Sequence, residues 1–280
     1  MHPSLWLTVI ISGAVGGFLD SMAGMGFGAL SSTIMISGGL PPTMVIGAVN
    51  LAKVGSGLVS GLSHWRLGNV RWPWVPPMVG AAVTGGVIAS LVLTRLPEEF
   101  IRLVIPAVLM TMGGLILYRF LWARPVLHPV VGSSEQDGPV ILGRPLLTRP
   151  HRRTGESRLT MVWLGSLGFI GGALNGLSGA FGTFTTSAMV LKQVGHPRFA
   201  IGTVNFVEFF VAGAVSATLI LSAPPGQWHW GLPAALMAGS VASAPLGAYM
   251  SRRLPAKVVG VSVGVVLISL NTWSLARVIL

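Results

Sequence analysis

The chain has 280 residues, of which 52% are apolar and only 9% charged, with a mean hydropathy of +0.75; that balance excludes an ordinary soluble enzyme. Its 18 Lys and Arg against 7 Asp and Glu lie mostly between uncharged apolar runs of about twenty residues, so the basic excess marks membrane topology, and no nucleic-acid partner is expected. Without cysteine there are no disulfides, thiolate nucleophiles or Cys-based metal sites, and the histidines at 2, 64, 128, 151, 196 and 229 form no close ligand pair; no metal or other cofactor is expected.

In chain order the apolar runs are 5–23, 28–38, 43–62, 75–94, 100–122, 159–177, 182–194, 200–222, 232–250 and 258–279. Eight are long enough to span. Runs 28–38 and 182–194 are too short to cross a hydrocarbon core of about 30 Å as straight helices rising about 1.5 Å per residue. Each follows a glycine-rich break, Ala23-Gly24-Met25-Gly26-Phe27-Gly28 and Asn175-Gly176-Leu177-Ser178-Gly179-Ala180-Phe181-Gly182. Only Met1-His2-Pro3-Ser4 precedes the first run, with no Lys or Arg, so a cleaved signal peptide is not expected.

The two halves repeat. A shift of 155 residues aligns Gly17 with Gly172, Asp20 with Asn175, Gly24 with Gly179, Pro42 with Pro197, Ile46-Gly47 with Ile201-Gly202 and Val49-Asn50 with Val204-Asn205, without a gap. Three more residues of shift bring Arg95-Leu96-Pro97 onto Arg253-Leu254-Pro255 and Arg119 onto Arg277. Agreement at Asn, Pro and Arg, and not only at Gly and Val, argues for duplication.

Orientation follows from Lys and Arg. Arg119, Arg124, Arg144, Arg149, Arg152, Arg153 and Arg158 place that segment in the cytoplasm. Counting spans outward from it puts Arg66 and Arg71 inside, along with Lys192, Arg198, Arg252, Arg253 and Lys257; only Arg95 and Arg277 disagree. Each glycine-broken pair must then be a helical hairpin, the first opening from outside and the second from inside. The fold expected is an all-α polytopic membrane protein of two inverted-topology repeats, each a hairpin followed by three transmembrane helices. The repeats are 1–122 and 159–280, joined by a basic cytoplasmic linker at 123–158 rich in Pro, Gly, Ser and Arg. The linker's charges serve orientation and attraction to anionic lipid. Inverted repeats of this kind bind substrate near the midplane between the halves.

Ionisable residues inside spans are costly and mark function by default. Lys53 lies mid-span, Glu208 is its repeat equivalent, and Asp20 lies near the first hairpin's tip. Three readings stay open: a Lys53–Glu208 ion pair that holds the halves together, an anion-binding Lys53 with a proton-sensitive Glu208 as its partner, or two residues that never meet. Asn50 and Asn205, three residues earlier, share those helical faces; their amides can bind an anion or join helices. The hairpin breaks offer free N–H groups at helix N-termini, which bind anions without a charged side chain; close helix packing explains most of the glycines, but less well why two clusters interrupt apolar runs at repeat-related positions. The candidate substrate contacts are therefore Gly24, Gly28, Asn50 and Lys53 in the first half, and Asn175, Ser178, Gly179, Gly182, Thr183 and Asn205 in the second. Asp20 and Glu208 are the candidate proton-coupling groups. Gly176-Leu177-Ser178-Gly179 resembles the GxSG of rhomboid proteases, but no histidine lies within a span to serve as base, so no catalytic residue and no enzyme activity is expected.

Three segments carry a family resemblance: Gly17-Phe18-Leu19-Asp20-Ser21-Met22-Ala23-Gly24, Gly61-Leu62-Ser63-His64-Trp65-Arg66-Leu67-Gly68-Asn69-Val70 and Ile201-Gly202-Thr203-Val204-Asn205-Phe206-Val207-Glu208-Phe209-Phe210. The chain resembles the sulfite exporter (TauE/SafE) family, the 4-toluene sulfonate uptake permeases, over both halves but not the linker. The resemblance implies a carrier in the bacterial inner membrane for sulfite, sulfoacetate or related small organosulfur anions, usually moving them outward. Lys53 departs from the acidic or neutral residue that the resemblance leads one to expect there. Export by alternating access between the repeats is the expected activity; a proton-coupled importer and a channel-like anion conduit are the alternatives. Both termini are expected on the periplasmic or extracellular side. Besides the anion and membrane lipid, the glycine-rich faces permit a homodimer.

Overall fold

A computed structural model of the chain describes residues 3–23, 26–66, 68–122, 158–192, 197–223, 228–250 and 256–279. Gly24 and nearly all of the linker expected at 123–158 lie outside them; Arg158 already begins a helix. The described residues form helices α1 (Pro3–Ala23), α2 (Phe27–Ser37), α3 (Pro42–Arg66), α4 (Val75–Leu93), α5 (Glu98–Leu121), α6 (Arg158–Ser178), α7 (Phe181–Leu191), α8 (Pro197–Ser222), α9 (Gly231–Met250) and α10 (Ala256–Ile279), with a 3-10 turn at Trp72–Trp74 before α4.

Local chemistry sets the helix starts. Pro42 and Pro197 each occupy the first position of their helices, where the missing N–H costs nothing. Glu98 and Glu99 sit in the first turn of α5 and Arg119 in its last, each complementing the helix dipole. Among the described residues, six helical segments are long and apolar enough to cross a membrane: Pro42–Arg66, Trp72–Leu93, Glu98–Leu121, Arg158–Ser178, Phe199–Ser222 and Gly260–Ile279. That is fewer than the eight expected, because the apolar stretches described in α1 and α9, Trp6–Asp20 and Gly231–Ser243, fall short. Exposed Leu7, Ile88, Val92, Leu159 and Val241 form the apolar exterior that a bilayer requires.

Small residues decide which helices touch. Helices α4 and α6 run parallel, Met78 against Gly168, Ala82 against Gly172 and Gly86 against Gly176. Helices α1 and α9 do the same, Gly13 against Leu236 and Gly17 against Ser240. At Gly17 an added Cβ would come within 2.5 Å of the Ser240 Cα, so these helices meet backbone to backbone. By contrast, α3 and α8 pack antiparallel, with Gly57 on Phe209 and Gly61 on Phe206, and α5 and α10 likewise, with Gly113 on Leu267 and Gly260 on Phe120. Moving five helices along the chain converts the α1–α9 contact into α6–α4 and returns α3–α8 and α5–α10 to themselves.

The repeat register needs one correction. Helices α2 and α7 both begin Phe-Gly, at Phe27 and Phe181, one residue short of the 155-residue spacing that relates α3 to α8. The second glycine break is a residue shorter than the first, and the segment before α8 a residue longer. The ungapped alignment holds for the spans but not for the short arms.

Candidate functional site

Both glycine breaks are hairpin tips. In the first hairpin Ser12 Oγ donates to the Ser31 carbonyl (3.0 Å) and Ser31 Oγ to the Ser12 carbonyl (3.2 Å), which fixes the two arms side by side. Gly26 turns the chain at φ 115° and Gly179 turns the second tip at φ 76°, a region open to glycine at little cost. The repeat-related residues Asp20 and Asn175 then do the same local work: the Phe27 N–H donates to Asp20 Oδ1 (3.5 Å) and the Phe181 N–H to Asn175 Oδ1 (3.3 Å). Each satisfies a free donor at the start of a short arm.

The two tips touch. A Cβ at Gly28 would fall onto the Gly179 carbonyl oxygen and come within 2.6 Å of Lys53 Nζ. Lys53, from α3, donates to that carbonyl (2.6 Å) and forms an ion pair with Glu208 Oε1 of α8. Glu208 Oε1 also accepts from the Gly182 N–H (3.4 Å), at the N-terminus of α7. The pair is sequestered, with side-chain exposures of 7% and 14%, and so joins the halves at their centre.

A cavity of about 450 Å³, counting the part open to the exterior, lies against this pair. The first tip contributes Asp20, Gly26, Phe27 and Gly28 to its wall, α7 contributes Gly182 and Thr183, and α8 contributes Asn205 and Glu208. Helix α3 adds Lys53, Ser56, Gly57 and Ser60, a stripe one to two turns long leading toward Arg66. The α8 residues 155 positions on from that stripe are Val211, Ala212 and Val215, all buried in the apolar core. Past the ion pair in the other direction Asn175 Nδ2 donates to Asn50 Oδ1 (2.6 Å), and Asn50 Nδ2 to the Ile46 carbonyl (2.9 Å). Asn205, the counterpart of Asn50, instead faces the cavity on whose wall Asp20, the counterpart of Asn175, also lies. The polar interior is thus asymmetric although the sequence around it is repeated.

Of the residues singled out from the sequence, the structure brings Asp20, Gly28, Lys53, Gly182, Thr183, Asn205 and Glu208 together on one cavity. Asn50 and Asn175 bond to each other behind it, Gly179 presents its carbonyl to Lys53, and Ser178 Oγ bonds back to the Leu174 carbonyl (2.8 Å) within its own helix. Sequence reasoning missed Ser56 and Ser60. Their spacing of three and seven residues from Lys53 places all three on one helical face, which was the available signal.

A buried ion pair where two helical hairpins meet, with a one-sided polar cavity and an apolar exterior, defines a polytopic helical membrane protein built around an internal site. The chain belongs to the sulfite exporter TauE/SafE family, whose model matches residues 9–272, and it is a membrane transporter of that family. It is 27% identical over 263 residues to "Probable membrane transporter protein YtnM" of Bacillus subtilis (strain 168), covering 94% of this chain and 80% of that protein. It is 26% identical over 196 residues to "Probable membrane transporter protein ORF9" of Sinorhizobium sp, covering 68% of this chain and 66% of that one. No solved structure matches it significantly.

Proposed function

We propose that the protein is a bacterial inner-membrane carrier that moves a small organosulfur anion, sulfite or a sulfonate such as sulfoacetate, by alternating access between two inverted repeats. The observation that carries this reading is the cavity at the meeting hairpin tips, where Lys53 and the N-terminal N–H of α7 converge. An ammonium and a helix N-terminus are the two groups that most favour a bound oxyanion.

The packing supports inversion. Antiparallel α3–α8 and α5–α10 pairs, together with parallel α1–α9 and α4–α6 pairs, are the arrangement expected when each helix of the first half runs opposite to its counterpart. Arg66 and Arg71 lie near the end of α3 where α8 begins, the Arg71 N–H donating to Thr203 Oγ1 (3.0 Å); the positive-inside rule favours a cytoplasmic position for that end of α3 and, with it, both termini outside. The Asn50–Asn175 bond on one side of the ion pair, with Asn205 lining the cavity on the other, supports reading this conformation as an inward-facing state. The opposite state exchanges the two roles, as rocking of inverted repeats does.

An anion carried outward without a proton has a ready driving force, since a monovalent anion leaving a negative interior gains about 2.3 kcal/mol per 100 mV; an anion accompanied by a proton does not draw on it. A second reading, proton-coupled import, is favoured by Asp20 and Glu208 on the cavity wall, since a carboxylate can carry the proton. Proteoliposomes loaded with labelled sulfite or sulfoacetate, with and without imposed voltage and pH gradients, test all of this. Saturable, temperature-sensitive flux is expected. Single-channel currents would make the protein a conduit, and absence of flux for every organosulfur anion would overturn the substrate class.

A further inference from the structure

We infer that the Glu208 carboxylate occupies the seat of the transported anion in the empty carrier, and that a proton taken up by Glu208 opens the seat and accompanies the anion across. This rests on the reading of the cavity as an anion site.

Three observations carry it. First, Glu208 Oε1 is held by donors from both sides of the cavity, Lys53 Nζ from α3 and the Gly182 N–H from α7. A sulfonate or sulfite oxygen requires the same two donors, so substrate and Glu208 compete for one place. Second, the cavity lies directly beside the carboxylate, with Ser56, Ser60 and Asn205 on the same wall, and Glu208 keeps 14% of its side chain accessible, which lets a proton reach it.

Third, the charges permit little else. The charged groups on the cavity wall are Lys53, Asp20 and Glu208. With both acids ionised, an entering anion meets one ammonium already paired and a second carboxylate, and its burial there leaves uncompensated negative charge. The other elements packed on α8 add nothing to offset this. Helices α4 and α7 contain no titratable residue, α6 has only Arg158 at its outer end, on α3 the next are His64 and Arg66, three turns beyond Lys53, and Arg71 bonds through its backbone to Thr203 near the start of α8, more than a turn from Glu208. Protonated Glu208 gives up its charge-assisted bond to Lys53, and the ammonium turns to the substrate.

The step balances with no further reactant. One proton enters from the side to which the cavity opens, resides on the Glu208 carboxyl while the anion rides on Lys53 and the Gly182 N–H, and leaves with the anion on the far side; the Lys53–Glu208 pair then re-forms. A monoanion moved this way is electroneutral, so its net flux follows the combined gradients of anion and proton and ignores the membrane voltage.

The test uses the purified full-length protein, with binding of methanesulfonate and of sulfoacetate followed by intrinsic tryptophan fluorescence between about pH 6 and about pH 9, where neither probe changes charge. Over this range the apparent Kd of the wild type is expected to rise with pH, toward about tenfold per pH unit, the slope of one linked proton. Glu208→Gln keeps an acceptor for Lys53 but cannot ionise; its Kd should lose that slope and stay low at alkaline pH. Independently of any variant, binding to the wild type in weak buffer should take up one proton per anion. An unchanged slope in Glu208→Gln, a slope lost instead in Asp20→Asn, or binding to the wild type without proton uptake would each overturn the inference alone. Failure of both sulfonates to bind the wild type at any pH would overturn the substrate reading and this inference with it.

Discussion

Alanine at position 28 is expected to abolish transport while leaving the protein inserted in the membrane. The added Cβ falls onto the Gly179 carbonyl oxygen and within 2.6 Å of Lys53 Nζ, so the two hairpin tips must part and the lysine must leave its carbonyl. Neither neighbour gives easily, because one is backbone and the other is held in an ion pair. Overpacking of this kind costs about 1–3 kcal/mol, equivalent to about a five- to 150-fold loss in the population of the assembled site. The initial rate of labelled sulfoacetate or sulfite flux in proteoliposomes reads the effect. Gly182→Ala, whose Cβ stops 3.1 Å from Glu208 Oε2, should be milder, and Gly114→Ala, with nothing within 4 Å, serves as the control. Wild-type flux from Gly28→Ala would show that the contact of the tips is dispensable.

Lys53→Met has the second large effect, and it acts on stability and binding together. Removing the ammonium leaves the Glu208 carboxylate sequestered with, among the described residues, the Gly182 N–H as its partner. Breaking one side of a buried pair costs about 3–5 kcal/mol, so the variant should unfold at markedly lower temperature in detergent and bind anion weakly. Adding Glu208→Gln removes the orphaned charge and should restore most of the thermal stability. It should not restore anion binding, because the cation is still missing. Recovery of both in the double variant would assign Lys53 to holding the halves together and nothing more.

The meeting of Lys53 and Glu208 was legible in the sequence because charge in an apolar span is costly and the repeat made the two residues equivalents. The hairpins were legible for a similar reason: runs of about a dozen apolar residues cannot span, and glycine clusters interrupt both. Other features depended on tertiary context. Asp20 and Asn175 read as site residues from their place at the tips, and both also cap the short arms, a local role that needs the turn geometry to be seen. Ser56 and Ser60 drew no reading from the sequence, since serine in an apolar helix commonly bonds to its own backbone, as Ser56 Oγ does with the Ala52 carbonyl (3.4 Å). Asn50 and Asn205 have nearly the same surroundings in sequence, yet one is locked to Asn175 and the other faces the cavity. The repeat is symmetric in sequence, while any single conformation of it is not, so the pattern of residues alone does not say which asparagine is engaged.

The central claim, that the cavity beside the hairpin tips is where the anion sits, is tested most directly by substrate protection of Ser56→Cys. The chain contains no other cysteine, and position 56 lies on the cavity wall one turn from Lys53. A small charged thiol reagent should modify this cysteine, and a transported sulfonate at about ten times its Kd should slow the modification about tenfold. A modification rate that does not change while the same sulfonate is still being carried would place the binding site elsewhere.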